Sequence, residues 1–311
     1  MHHVFLIASL RCNITGASNI RPFGLGPGQP AAVFVRRHCG YSICRSGTHG
    51  LRHYRESIGK LQECSAALNA KNLAFVIQLG DLVDGGIDNL DRILPVFDRI
   101  RAPKHHVLGN HDFCAERNVL LKRLNMPAAY YQFSEPAWRF AVLDGMNISV
   151  AGRWPEGSDN LQNGRSILAD LKSEHTPNAQ TWNGAVGEEQ QQWLAKLLSD
   201  ADARKQRVIV FAHFPALAAS CRPNHLLWDH QQIVKLLEAH SSVKAFLNGH
   251  DHNGGYGQQA GIHYVTFPAM VEHSAAESCN VVSVYQDRLE IRSALEKSAR
   301  PNSPRVLKLA N

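Results

Sequence analysis

No acidic residue precedes Glu56, no apolar run approaches the length of a bilayer crossing, and the seven cysteines follow no familiar spacing. Each absence excludes something. A membrane-spanning helix takes about 20 apolar residues, so no membrane partner is expected. The short apolar stretch at residues 4–10 has no Lys or Arg before it and no small-x-small pattern after it, so no secretory leader is expected. The cysteine spacings match neither a disulfide framework nor a zinc ribbon, which makes a reducing, cytoplasmic setting the simpler expectation.

The formal charge of +6 suggests a nucleic-acid partner only until it is located. Residues 1–60 hold eight Lys or Arg against the single acid Glu56, while the other 251 residues carry 25 bases and 26 acids. The body of the chain is neutral, and nothing in it resembles a surface that tracks phosphates. No nucleic-acid partner is expected.

Two textures are present. Residues 1–50 lack Asp and Glu, carry Gly and Pro over 22–30, hold three of the seven cysteines, and keep no period of 2 or 3.6. They are expected to be irregular, with one domain over 51–311. From residue 51 the pattern becomes regular. Helices are expected over 53–68, 89–100, 188–198 and 231–240, and strands over 75–79, 106–108, 139–143, 208–212 and 244–247. Strand-like runs follow at 262–267, 281–285 and 288–291. Alternation of this kind indicates an α/β protein with a mostly parallel sheet and helices outside. The late strands suggest a second sheet packed on the first.

Four motifs stand just past predicted strand ends, where open α/β sheets place their ligands. They are Gly80-Asp81-Leu82-Val83-Asp84-Gly85, Gly109-Asn110-His111-Asp112, Ala212-His213-Phe214-Pro215 and Gly249-His250-Asp251-His252. Singly, each has an ordinary reading: a turn, a helix cap, a satisfied histidine, a polar loop. Together they offer the mixed oxygen and nitrogen donors that manganese, iron or zinc accept.

That order resembles the signature of calcineurin-like metallophosphoesterases, over residues 75–270. The resemblance implies a four-layer α/β/β/α sandwich and two divalent metals, manganese foremost, with iron and zinc as alternatives. Asp81 would bridge the metals; Asn110, His213 and His250 would complete one site, and His252 would serve the other. His111 would face the phosphoryl or leaving group, oriented by Asp84. A pair of metals about 3.5–4 Å apart would hold a bridging hydroxide for in-line attack on phosphorus.

Three further words look like the manganese-dependent ADP-ribose/CDP-alcohol diphosphatases: His53-Tyr54-Arg55-Glu56-Ser57, Trp182-Asn183-Gly184-Ala185-Val186-Gly187, and the stretch from Gly249 to Tyr256. The implied reaction is hydrolysis of a small nucleotide, ADP-ribose or a CDP-alcohol, to a nucleoside monophosphate and a phosphorylated remainder. Two alternatives stay open. One is another enzyme on this scaffold, such as a cyclic-nucleotide phosphodiesterase or a phosphatase. The other is an inactive relative that binds one metal or a nucleotide.

The inactive alternative arises from a departure. The family opens with a strand carrying Asp-x-His, or Asp-x-Gln in this subfamily, and no carboxylate is available before Glu56. Codons permitted for residues 34–46, read one nucleotide later, spell Ser-Phe-Gly-Val-Ile-Ala-Asp-Ile-Gln-Tyr-Ala-Asp, an apolar strand ending in the absent motif. Residues 34–50 are therefore expected to be out of frame, with the frame restored before Arg52. His38, Cys39, Cys44 and His49 have no spacing that would make them substitute ligands.

Overall fold

The computed structural model describes residues 30–35 as backbone, and residues 56–135, 137–295 and 306–309. The strands are β1 (Pro30–Val35), β2 (Val76–Leu79), β3 (Lys104–Val107), β4 (Tyr131–Glu135), β5 (Trp138–Val142), β6 (Arg207–Phe211), β7 (Val243–Asn248), β8 (Gly255–Gln259), β9 (Ile262–Thr266), β10 (Cys279–Val284), β11 (Arg288–Ser293) and β12 (Val306–Lys308). The helices are α1 (Glu56–Asn69), α2 (Leu90–Phe97), α3 (Arg117–Arg123), α4 (Asp159–Ser173), α5 (Glu188–Ala203), α6 (His230–Glu238) and α7 (Ala275–Ser278).

The strands form two six-stranded sheets, ordered β12-β11-β10-β1-β2-β3 and β4-β5-β6-β7-β9-β8. In the first, β1, β2 and β3 run parallel. In the second, β5, β6, β7 and β9 run parallel between antiparallel edge strands. A strand such as β6, Arg-Val-Ile-Val-Phe, is apolar on both faces because both are covered. Phe75, 2% exposed, stands between the sheets and meets Phe133, Phe140 and Phe211 edge-on at centroid distances of 4.9, 4.9 and 6.5 Å.

Helices form the outer layers. Leu61, Cys64 and Leu68 of α1 pack with Val76 and Val281 on the far side of the first sheet. On the second sheet, Leu194, Leu197, Leu198 and Ala201 follow the 3.6 period along α5 and close its core face. The result is the four-layer α/β/β/α sandwich.

Several expectations need correcting. The late strands do not make a sheet of their own: β10 and β11 join the first sheet, and β8 and β9 the second. Within the segment expected to be irregular, residues 30–35 form β1, antiparallel to β10 and parallel to β2. The proposed frame change begins at its last two residues, and residues 36–50 lie outside the described residues. The cysteine spacing also misled. Cys64 and Cys279, both fully buried, form a disulfide across 215 residues, joining α1 to β10. Local spacing cannot reveal a bridge whose partners meet only through the fold.

β3 carries two histidines into the interior. Burial pushes His106 down to about 3, with His105 and Lys104 adding repulsion, and pushes His105 down to about 4. Both are neutral when folded, whereas the unfolded chain protonates them near 6.5. A folded value below the unfolded one makes this contribution complete above about pH 6.5 and lost as pH falls toward 4 and then 3. Urea unfolding should therefore show a lower midpoint at pH 5 than at pH 7. Because His106 Nδ1 is buried without a partner among the described residues, His106→Leu is expected to narrow that gap without loss of stability at pH 7.

Candidate metal centre

Parallel strands deliver the four motifs to one place. β2 and β3 end in Gly80-Asp81 and Gly109-Asn110, and β6 and β7 end just before His213 and His250. The backbone is folded tightly there. Asp81 and His250 both hold left-handed conformations, φ 56° and 66°, which only a strongly determined surrounding maintains in residues with a Cβ. Glycine is required at two neighbouring points. A Cβ on Gly80 would stand 2.2 Å from His213 Nδ1, and one on Gly109 would stand 2.2 Å from Asp81 Oδ1. These two glycines let the sheets' turns close on each other.

The resulting cluster lies in the interior. Asp81 and His213 are fully buried and His250 is 6% exposed. His213 Nε2 lies 3.1 Å from Asp81 Oδ2, 3.2 Å from Asn110 Oδ1 and 3.1 Å from His250 Nδ1. Their hydrogen-bond partners assign the tautomers. His213 Nδ1 meets the Leu79 carbonyl at 2.8 Å, and a carbonyl only accepts, so the proton is on Nδ1 and Nε2 presents a lone pair. The Asn183 amide donates to the carbonyls of Asn178 and Asn224, which fixes its oxygen toward His250 Nε2 at 2.9 Å. That nitrogen donates, and His250 Nδ1 also presents a lone pair.

Four ligand atoms thus converge: one carboxylate oxygen, one amide oxygen and two imidazole nitrogens. Acceptor atoms brought this close together favour a positive charge between them. The mixed hard and borderline set suits a divalent first-row metal, so the residues fit the group expected from their sequence.

The remaining expected residues take distinct places. His111 Nδ1 lies 3.0 Å from Asp84 Oδ2, and its backbone N–H donates to Asp81 Oδ1 at 3.0 Å. His252 is not in the four-atom cluster; its Nδ1 meets Glu272 Oε1 at 2.7 Å. A carboxylate behind one ring nitrogen fixes which nitrogen is presented to a metal.

Supporting residues were not legible from the motifs. Asp112 accepts the backbone N–H groups of Asp81, Val83 and Gly109 at 2.8, 3.1 and 2.8 Å, tying the first two turns together. Burial, with the Asp81 charge beside it, pushes its carboxyl up to about 7. Asp251, 1% exposed, receives the Arg222 backbone N–H and its guanidinium, both at 2.7 Å at closest. Burial alone would raise Asp251, but Arg222 offsets it and holds the carboxyl below the usual range. Asp112 and Asp251 sit inside the quoted motifs, so adjacency was the available signal. Asn183 lay inside a quoted word without a role, and Arg222 and Glu272 gave no signal.

The chain matches the family model described as calcineurin-like phosphoesterase over residues 48–254. It is 34% identical over 266 residues to the manganese-dependent ADP-ribose/CDP-alcohol diphosphatase of Arabidopsis thaliana, covering 77% of this chain and 85% of that protein. The protein of the same name from Homo sapiens is 26% identical over 285 residues, covering 78% and 82%. Among solved structures, a dimetal phosphatase from Danio rerio is similar with a TM-score of 0.78 at 28% identity, covering 91% of this chain and all of that one.

Proposed function

The chain belongs to the calcineurin-like phosphoesterase family and is a hydrolase, and from that premise we propose that it cleaves the diphosphate bond of ADP-ribose or a CDP-alcohol. The products would be a nucleoside monophosphate and a phosphorylated remainder. The observation that carries the metal-dependent part is the convergence of lone pairs from Asp81, Asn110, His213 and His250. The nucleotide part rests on likeness to relatives named for those substrates.

A divalent metal held by those four residues, with manganese the first choice, would polarise a phosphoryl oxygen and offset charge developing on the transferred group. The protein's own groups do the rest. Asp81, carrying the cluster's only formal charge, sets the affinity for a cation. His111 faces the reacting phosphate, and Asp84 orients its ring through Nδ1. Asp84 also stabilises the ring when Nε2 carries a proton, the form that donates to a departing phosphate oxygen. His111→Ala is expected to lower kcat by about 10²–10⁴-fold, the range of one general acid. Asp84→Asn should lower it less, with KM near the parent value and an unchanged melting midpoint. A rise in KM without a fall in kcat would remove both residues from the chemistry.

The second metal would draw on Asp81 and His252, with its other ligands supplied by residues 34–50 in the shifted frame. The lack of any carboxylate before Glu56 favours a second reading, a relative that binds one metal or a nucleotide without turnover. The expected cytoplasmic location gains nothing from the cysteines, since a buried disulfide is characteristic of oxidising compartments. No helix among the described residues is long and apolar enough to cross a membrane.

The deciding experiment is incubation of the purified chain with ADP-ribose and CDP-choline, with and without manganese, beside cyclic nucleotides and phosphate monoesters. Manganese-dependent release of AMP or CMP is expected. Hydrolysis of the cyclic or monoester substrates alone would overturn the diphosphatase reading, and metal binding without any hydrolysis would establish the binding-only one.

A further inference from the structure

A cleft separate from the metal cluster lies beside the turn that carries His111. The loop lining it follows β5, which runs parallel to β6 and β7, so it leaves the second sheet at the edge where His213 and His250 stand. The cleft holds about 320 Å³, and Arg153, Trp154, Val150, Leu161 and the Glu156–Arg165 pair line it. That volume is at the lower end for small-ligand sites and admits a ring with its sugar, not a macromolecule.

Three features make it a built site. Arg153 Nε donates to the Phe113 carbonyl at 3.1 Å, two residues past His111, which fastens the cleft to the reacting side of the metal centre. Trp154 is held rigidly: its Nε1 donates to the Met146 carbonyl at 3.2 Å, and the Arg117 guanidinium lies 4.0 Å from its ring centroid. Arg117 is itself fixed by Asp144 and by the carbonyls of Met146 and Gly152. The charges are unequal. Arg165 is neutralised by Glu156 through two hydrogen bonds of 2.8 and 3.0 Å, and Arg117 by Asp144, whereas Arg153 has a carbonyl as its hydrogen-bond partner. A fixed indole, apolar side chains and one cation with no paired carboxylate among the described residues suit a flat heteroaromatic ring attached to an anion.

We propose that this cleft binds the base and ribose of the nucleotide while its phosphate occupies the metal centre, with Trp154 contacting the base and Arg153 the polar edge of the ribose phosphate. The proposal rests on the diphosphatase reading and adds the subsite that would select nucleotides among diphosphates.

The test uses the manganese-loaded full chain and its Arg153→Ala, Trp154→Ala and Trp154→Phe variants. Inhibition constants are measured for AMP and for inorganic phosphate, which takes the metal centre alone. Trp154→Ala is expected to weaken AMP about tenfold, the scale of one base against an aromatic ring, with phosphate inhibition unchanged. Arg153→Ala should act in the same direction and Trp154→Phe should restore AMP. Equal weakening of AMP and phosphate would mean a distorted metal centre and would overturn the subsite, as would unchanged AMP inhibition in both alanine variants. If the chain hydrolyses neither diphosphate, the function reading fails by itself. Equilibrium binding of AMP to the manganese-loaded chain then decides the cleft: the same tenfold loss supports it, and absence of AMP binding or an unchanged affinity overturns it.

Discussion

Asp81→Asn should abolish manganese binding at the four-residue cluster and lower hydrolysis by about a thousandfold or more, the scale on which loss of a preorganised electrostatic group costs turnover. The fold should survive. The asparagine oxygen can still accept the His111 N–H that Asp81 Oδ1 accepts at 3.0 Å. Its amide nitrogen would point where Asp81 Oδ2 now lies, 3.1 Å from His213 Nε2, and would donate to that lone pair. The substitution therefore supplies a hydrogen-bond donor to the cluster while removing the charge that attracts a cation. Metal-free melting should be equal to or higher than the parent's, and added manganese should no longer raise it. Calorimetric titration with manganese and paired melting curves check both statements. A variant that still gains stability from manganese would mean that the cluster is not the site.

The second large effect concerns residues 34–50. Replacing them with the segment read one nucleotide later should raise manganese-dependent turnover by about a hundredfold or more, the scale on which one preorganised electrostatic group contributes to turnover, here the second metal of an in-line displacement. β1 is parallel to β2, and Val35 pairs with Gln78, three residues from Asp81. The end of β1 therefore stands at the sheet edge from which Asp81 departs, the place from which an added Asp-x-Gln could reach the same metals. The gene offers a prior check: codons that cannot spell the shifted string end the frame hypothesis. Equal activity of the two chains would mean that two protein ligands, Asp81 and His252, suffice at the second metal or that it is dispensable.

The residues of the candidate metal cluster were legible because each follows an apolar run and a small residue, a combination that marks a strand end turning toward a shared edge. Asp81, Asn110, His213 and His250 needed no knowledge of which strands are neighbours. Their supports did need it. Asn183 reaches His250 across 67 residues and Glu272 meets His252 across 20, contacts that exist only once distant segments are brought to the same end of the second sheet. Whole elements were missed for local reasons. α4 carries Asp, Asn, Gln and Gly through its first six positions and buries only Leu161, Gly164 and Leu168, so its period is faint. β8 contains two glycines in five residues and is half exposed. The division of the late strands between two sheets was hidden for another reason, since order along the chain does not say which edge a strand joins.

The Cys64–Cys279 bridge encloses the whole candidate metal centre, from Asp81 to His252, in one covalent ring. A peptide-bond cut anywhere between the two cysteines would open that ring without releasing a fragment. Nicked protein should migrate as a single band until a reductant is added, and then as two. After reduction, non-covalent packing alone would hold the two pieces together.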